Sequence, residues 1–195
     1  MPCHGYSIPA RACLTGSKLG KTPGSVCAGC YALKGRYAFA NVQNALERRL
    51  VALQDKQWVQ AMVILLNHYE KSGFFRWHDS GDLQDVYHLG KICAVASGTP
   101  FIQHWLPTRE YNIVRQYVEA GNTIPRNLNI RLSGFMVDGP APLAIANRLK
   151  ATCSVVSTNA KPDVHNCPAP TQGNQCKDCR ACWSKDVSIV SYHKH

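Results

Sequence analysis

Acidic residues are scarce in this chain: 22 lysines and arginines face 12 aspartates and glutamates, for a formal charge of +10. Between Arg11 and Arg49 the imbalance is steeper, because only Glu47 opposes Arg11, Lys18, Lys21, Lys34, Arg36, Arg48 and Arg49. Clustered cations bind polyanions by releasing counterions from phosphates, so a nucleic acid or nucleotide partner is expected. Tyr31, Tyr37 and Phe39 interleave with those cations and could stack on bases. Long apolar runs are lacking too. The longest, Ala61 to Leu66, falls far short of the roughly 20 residues that cross a bilayer, so no membrane partner is expected. Met1 to Tyr6 holds no apolar segment behind a basic start, which points away from export and from a disulfide-knit chain. Internal repeats and low-complexity segments are also missing. At 195 residues, 45% of them hydrophobic, the chain fits one domain with its own core.

Cysteine, by contrast, is plentiful. Seven of the ten fall into two spaced sets: Cys13, Cys27 and Cys30 early, and Cys167, Cys176, Cys179 and Cys182 late. Two thiolates separated by two residues can turn round one ion or one cluster iron, so both sets are candidate metal ligands. The late set could hold an iron-sulfur cluster or a zinc ion, with His193 or His195 within reach. Cys3, Cys153, His4 and His165 are further candidates to complete a site. Cys93 shares a helix face with Leu89, Ile92 and Val95 and is read as core.

Three regions follow from this pattern. A cysteine-bearing loop region, rich in glycine, runs to residue 40, a helical and β/α core spans 41–160, and a cysteine-rich tail occupies 161–195. Helical spacing places two helices after Asn41 and Asp55, their plausible caps, with Trp58 facing the core. From Phe74 onward, apolar runs at Phe74–His78, Phe101–Leu106, Asn129–Leu132 and Ser154–Ser157 alternate with helical stretches at Val86–Ser97, Asn112–Ala120 and Ala141–Lys150. That alternation predicts an α/β fold, a partial parallel (β/α) barrel with cysteine-rich metal-binding ends. Working residues in such sheets gather beyond the carboxyl ends of the strands. Asp79, Asp82, Arg109, Glu110 and Asp138 are therefore the candidate catalytic groups. His78 and His104 are read as hydrogen-bonded rim residues.

The run Gly24 to Tyr37, with Arg76-Trp77-His78-Asp79-Ser80-Gly81-Asp82 and the Cys-Trp tail, resembles the bacteriophage family called gene product 88 across nearly the whole chain. That resemblance implies a phage-encoded protein working in the host cytoplasm, and supplies no mechanism. The layout resembles a shortened radical S-adenosylmethionine enzyme, whose three loop cysteines hold a [4Fe–4S] cluster at the start of a partial barrel. Here Cys13, Cys27 and Cys30 depart from the usual CxxxCxxC spacing, although a comparably stretched spacing occurs in 7-carboxy-7-deazaguanine synthase. Ser80, Gly81 and Asp82 stand where that superfamily binds the methionine amino group, and Ser133 would help line the cofactor site. The implied activity is nucleic-acid or nucleobase modification. Asp79 to Gln84 is also similar to a segment of tRNA-guanine transglycosylases, which implies a base-exchange alternative with Asp79 and Gln84 reading a flipped guanine and Asp138 or Asp163 as nucleophile. A third expectation is a non-enzymatic nucleic-acid binder with structural metals.

Overall fold

A computed structural model describes residues 1–194. Seven parallel strands form one sheet: β1 (Gly5–Tyr6), β2 (Phe74–Trp77), β3 (Gln103–Thr108), β4 (Leu128–Val137), β5 (Thr152–Ser157), β6 (His165–Asn166) and β7 (Ile189–His193). Their order is β1-β2-β3-β4-β5-β7-β6, so neighbours follow chain order through β5 and only the last strand is inserted out of turn. The sheet is open, with β1 and β6 as its edges. Because β-crossover-β connections are right-handed, successive steps in one direction collect the helices on one face. These are α2 (Ala40–Ala52), α3 (Trp58–Tyr69), α4 (Val86–Gly98), α5 (Tyr111–Glu119) and α6 (Leu143–Arg148). A short helix, α1 (Leu14–Leu19), lies in the cysteine loop.

The two faces of the sheet differ in chemistry. Alternation along each strand sends Phe75, Trp77, Leu106, Leu128, Ile130 and Leu132 to the helix side, where Leu66, Leu89, Ile92, Val95 and Val114 cover them. Each such side chain contributes about 1.5–3 kcal/mol on burial, so this layer holds the domain together. Trp58 and Cys93 belong to it, as expected from sequence. His104 does too, and so is no rim residue. It is wholly buried, shares a 2.8 Å hydrogen bond through Nε2 with Thr99 Oγ1, and stacks on the Trp77 ring.

Paired across the strands on the other face are Arg76, Trp105 and Asn129, then Arg131 and Thr152, then Ser133 and Ser154. The cysteine-rich tail covers the amino-terminal half of this polar face. Trp183 donates its indole N–H to the Phe75 carbonyl at 2.9 Å and packs edge-on against Phe74 and Trp105. Arg131, wholly buried, donates to the carbonyls of Cys153, Ala181, Ser184 and Val187 at 2.8–3.2 Å. Asn129 adds the carbonyls of Cys182 and Ser184, both at 3.0 Å. No carboxylate pairs with Arg131 among the described residues.

Expected elements recur with shifted ends. β3 begins at Gln103 and β4 runs on to Val137. The caps differ more. α2 starts at Ala40, so Asn41 lies inside it, and α3 starts at Trp58, where Asp55 instead accepts the Gln57 N–H in the preceding turn. β1, β6 and β7 went unread because two-residue strands carry no periodicity and Ile189 to His193 sits inside a cysteine-rich segment.

Candidate functional site

Beyond the carboxyl ends of the strands lies a cavity of about 1010 Å3. That is at the upper end of the roughly 300–1,000 Å3 typical of small-molecule sites. Cys13, Cys27 and Cys30 all line it, together with Ser80, Gly81, Asp82, Arg109 and Ser133. The cysteine loop leaves the carboxyl end of β1, crosses the cavity mouth and re-enters the helix layer at α2. Three fastenings hold it there. Glu110 accepts from the Thr15 N–H and hydroxyl, both at 2.7 Å, which satisfies an otherwise orphaned donor at the start of α1 and fixes Cys13 beside it. Val26 donates to the Phe135 carbonyl at 2.9 Å and Val137 to the Gly24 carbonyl at 3.0 Å, pinning the loop to the overhang of β4. Asp79 takes the Tyr37 hydroxyl and the Arg76 guanidinium, the latter at 2.7 Å, while its carbonyl takes the Tyr31 hydroxyl.

Glycine is required at one position and leaves room at another. Gly81 adopts φ +83°, and a β-carbon there would stand 2.8 Å from the Ile8 carbonyl oxygen, so this turn packs against the chain leaving β1. In α1, a β-carbon on Gly16 would lie 3.6 Å from the sulfur of Cys13 and 3.7 Å from that of Cys27, filling the gap between them. Burial pushes the Cys13 thiol up to about 12, and the Cys27 thiol is raised by the same cause against the opposing Arg109 charge. Burial thus favours the thiol form of both. Among the described residues, no three His, Cys, Asp or Glu side chains converge on one point as a single ion requires.

The candidate acids have different roles from those expected. Asp82 is buried and accepts from Leu83 N–H at 2.8 Å, Thr108 hydroxyl at 2.6 Å and Arg109 N–H at 2.9 Å. A carboxylate offers about four acceptor positions, so one remains for a ligand. Burial raises Asp82 to about 6 against the pull of those hydrogen bonds. Asp79 and Glu110 are engaged in fastening the loop, and neither is left as a free base. Asp138 lies outside the cavity lining: exposed and in a left-handed conformation at φ 57°, it accepts from Thr158 N–H at 2.8 Å and Thr158 hydroxyl at 2.6 Å. A turn residue that ties β4 to β5 cannot face a substrate held over the sheet. Arg109 does face the cavity, steadied by one 3.3 Å hydrogen bond from Nε to the Gly134 carbonyl. His78 lines the cavity as expected of a rim residue, but it is buried with neither ring nitrogen partnered and its ring 5.2 Å from that of His88, so the hydrogen bonding expected of it is not found.

Of the tail set, Cys167 lies close enough to Cys176 and Cys179 for their charges to add to the burial that raises its thiol. Cys182 stands 3.1 Å from the Tyr192 hydroxyl, and Tyr192 lines the cavity. Sequence reasoning missed Arg131, Tyr192 and Gly16. The alternation Asn129-Ile130-Arg131-Leu132-Ser133 carried the signal for a polar inner face. His193 lines the cavity, and His195 lies outside the described residues.

Across residues 1–185 the chain matches the family model described as Gene product 88. No curated protein and no solved structure matches. The chain therefore belongs to the gene product 88 family, whose description names a gene product and no chemistry.

Proposed function

We propose that this member of the gene product 88 family is a nucleic-acid or nucleobase modification enzyme of radical S-adenosylmethionine type, built on a partial barrel. One observation carries the reading: the three loop cysteines after β1 and the glycine turn after β2 line the same cavity over the strand ends. Curvature of the sheet supports the barrel. β3 and β7 stand three places apart, about 14 Å in a flat sheet, yet the rings of Trp105 and Tyr192 are 6.4 Å apart. Side chains that meet across so many strands point inward over a concave face.

The donor set suits an iron-sulfur cluster. Tetrahedral zinc with Zn–S of about 2.3 Å would bring its thiolates to about 3.8 Å from one another, whereas a cluster spreads its ligands over several irons. Gly16 leaves open the space between two of the sulfurs. When bound, the cluster and S-adenosylmethionine would supply reductive generation of a hydrogen-abstracting radical. The chain's own residues bind and orient. Asp82 keeps one acceptor position for an ammonium group, Ser80 and Gly81 set the turn that presents it, and Ser133 lines the wall opposite. Arg109 offers its free guanidinium nitrogens to an anionic group of the substrate. The exposed Lys18, Lys21, Lys34 and Arg36 on the cysteine loop would draw a polyanion to the mouth. At the tail, Cys167, Cys176, Cys179 and Cys182 remain the candidate ligands of a second metal, cluster or zinc.

The base-exchange alternative has less support. Asp79 is engaged by two tyrosines and an arginine, Gln84 donates to the Ala12 and Asp82 carbonyls, and Asp138 and Asp163 are exposed outside the cavity. Anaerobic reconstitution tests the proposal: iron and sulfide should bind with visible absorbance, and Cys27→Ala and Cys30→Ala should remove one cluster's worth of iron, sulfide and absorbance. Iron-free protein whose spectrum those changes leave untouched would refute it. Retention on DNA should weaken steeply with salt, and a flat response would remove phosphate contact from the proposal.

A further inference from the structure

The tail touches both sides of the sheet within two residues. Cys179 Sγ stands 3.4 Å from Nε2 of His165 in β6, the last strand in the sheet order. Its neighbour Arg180 lies over the Phe74 ring of β2, 5.1 Å from the centroid. β2 and β6 are five places apart, about 24 Å in a flat sheet. The tail therefore bridges the mouth of an open, curled sheet whose edge strands, β1 and β6, are each paired on one side only.

The 3.4 Å approach of sulfur to nitrogen matters because it fits two co-ligands of one ion. With Zn–S of about 2.3 Å and Zn–N of about 2.0–2.1 Å, neighbouring ligands of a tetrahedron stand about 3.6 Å apart. Ligands held on separate irons of a cluster cannot come so close. Cys167 follows β6 directly, and its thiol lies within charge range of Cys176 and Cys179. Cys167 is fixed there by its N–H, which donates to the Ser191 carbonyl at 2.8 Å. Cys176 and Cys179 sit on one turn, closed by a 2.9 Å bond from Cys179 N–H to the Cys176 carbonyl, with Lys177 left-handed at φ 42°. Cys182 faces elsewhere, towards the Tyr192 hydroxyl on the inner face.

We propose that His165, Cys167, Cys176 and Cys179 bind one zinc ion that clamps the cysteine turn to the β6 edge and so closes the open side of the sheet, with Cys182 outside the ligand set. The proposal rests on the metal reading of the tail and is independent of the chemistry in the cavity. As placed, only His165 and Cys179 stand at co-ligand distance and no three of these side chains converge, so binding one ion requires the Cys176–Cys179 turn, whose central residues Lys177 and Asp178 are exposed, to move inward.

The test uses the full chain carrying Cys13→Ala, Cys27→Ala and Cys30→Ala, so that the cavity site cannot contribute. Elemental analysis should find one zinc per chain and no iron. Cys179→Ser and His165→Ala should each lower zinc affinity at least tenfold, and Cys182→Ser should leave it within threefold. If His165→Ala fails to fold, His165→Cys decides: cobalt(II) in place of zinc should show stronger sulfur-to-cobalt charge transfer than in the parent, as a fourth thiolate replaces nitrogen. Zinc lost from Cys182→Ser but kept by His165→Ala, an unchanged cobalt spectrum in His165→Cys, or iron with sulfide in the triple variant would each overturn the proposal. None of those results bears on whether Cys13, Cys27 and Cys30 hold a cluster.

Discussion

The two cysteine-rich regions are attached to the same sheet by opposite means. The early loop is fastened at its rim, with carboxylates of Asp79 and Glu110 gripping hydroxyls and an N–H of the loop, and its sulfurs open onto a cavity. The late tail is fastened through its backbone, with Arg131 and Asn129 collecting its carbonyls and Trp183 wedged against the sheet. Backbone fastening fixes a path and leaves no free volume. Rim fastening positions three thiols while preserving room for something between them and the strands. The contrast separates a region that borders open space from one packed onto the sheet.

Breaking the tail's attachment should have the largest effect. Arg131→Leu withdraws the donor shared by four carbonyls; Ser184 keeps Asn129 and Ala181 keeps the Ser184 N–H, while the Cys153 and Val187 carbonyls lose a partner at about 1–3 kcal/mol each, so the chain should lose about 3 kcal/mol or more of stability. Urea unfolding within about 1 kcal/mol of the parent would show that the tail is not anchored there. Gly81→Ala comes next. A left-handed residue pressed against Ile8 should cost about 2–3 kcal/mol, read as a lower Tm, because the backbone must shift to admit a methyl group.

Loosening the early loop should cost less and act locally. Glu110→Gln keeps one acceptor for Thr15 and loses the charge, about 1–2 kcal/mol. Hydrogen exchange in residues 13–20 should quicken while the Tm moves little, and an equal change throughout the domain would sink the idea of a separate fastening. Tyr37→Phe, with Arg76 still holding Asp79, should cost about 1 kcal/mol and leave the tail's exchange rates unaltered.

Acid should affect the helix side first. Burial holds His88 and His104 near 4 and lowers His78 as well, against an ordinary value of 6.5. Their stabilising contribution is full above 6.5 and is lost as the pH falls towards 4, because the unfolded chain takes up protons that the folded one refuses. Asp82 works in the other direction. Raised from 3.8 to about 6, it favours the folded state most when protonated and costs stability as the pH rises through that window. Three histidines outweigh one carboxylate, so the Tm should fall between pH 6.5 and 4, and His104→Gln should flatten the slope. A Tm that climbs on acidification would reverse this balance.

Much of the β/α order was legible because strands of four residues or more alternate with amphipathic helices, as at Phe74, Val86 and Asn112. Asp85 caps α4, accepting the His88 N–H at 2.7 Å. Charge at the strand ends was legible as well, but its use was not. Asp79 and Glu110 read as free acids because their partners Tyr37 and Thr15 lie 42 and 95 residues away in sequence. Spacing likewise grouped Cys182 with Cys179, whereas in space its nearest polar neighbour is the Tyr192 hydroxyl of a strand too short to announce itself.

The insertion of β7 between β5 and β6 sets an order of assembly. Synthesis delivers Cys167 to Cys182 before Ile189 to His193, so β6 emerges with no strand to lie against until residues 189–193 have been made. Until β7 slots in, the late thiols have only solvent and one another for company, and adventitious oxidation competes with docking. The early loop meets no such delay once β2 to β4 exist. Expression in a strongly reducing host, or slow translation before codon 189, should therefore change the yield of correctly finished protein through the tail alone.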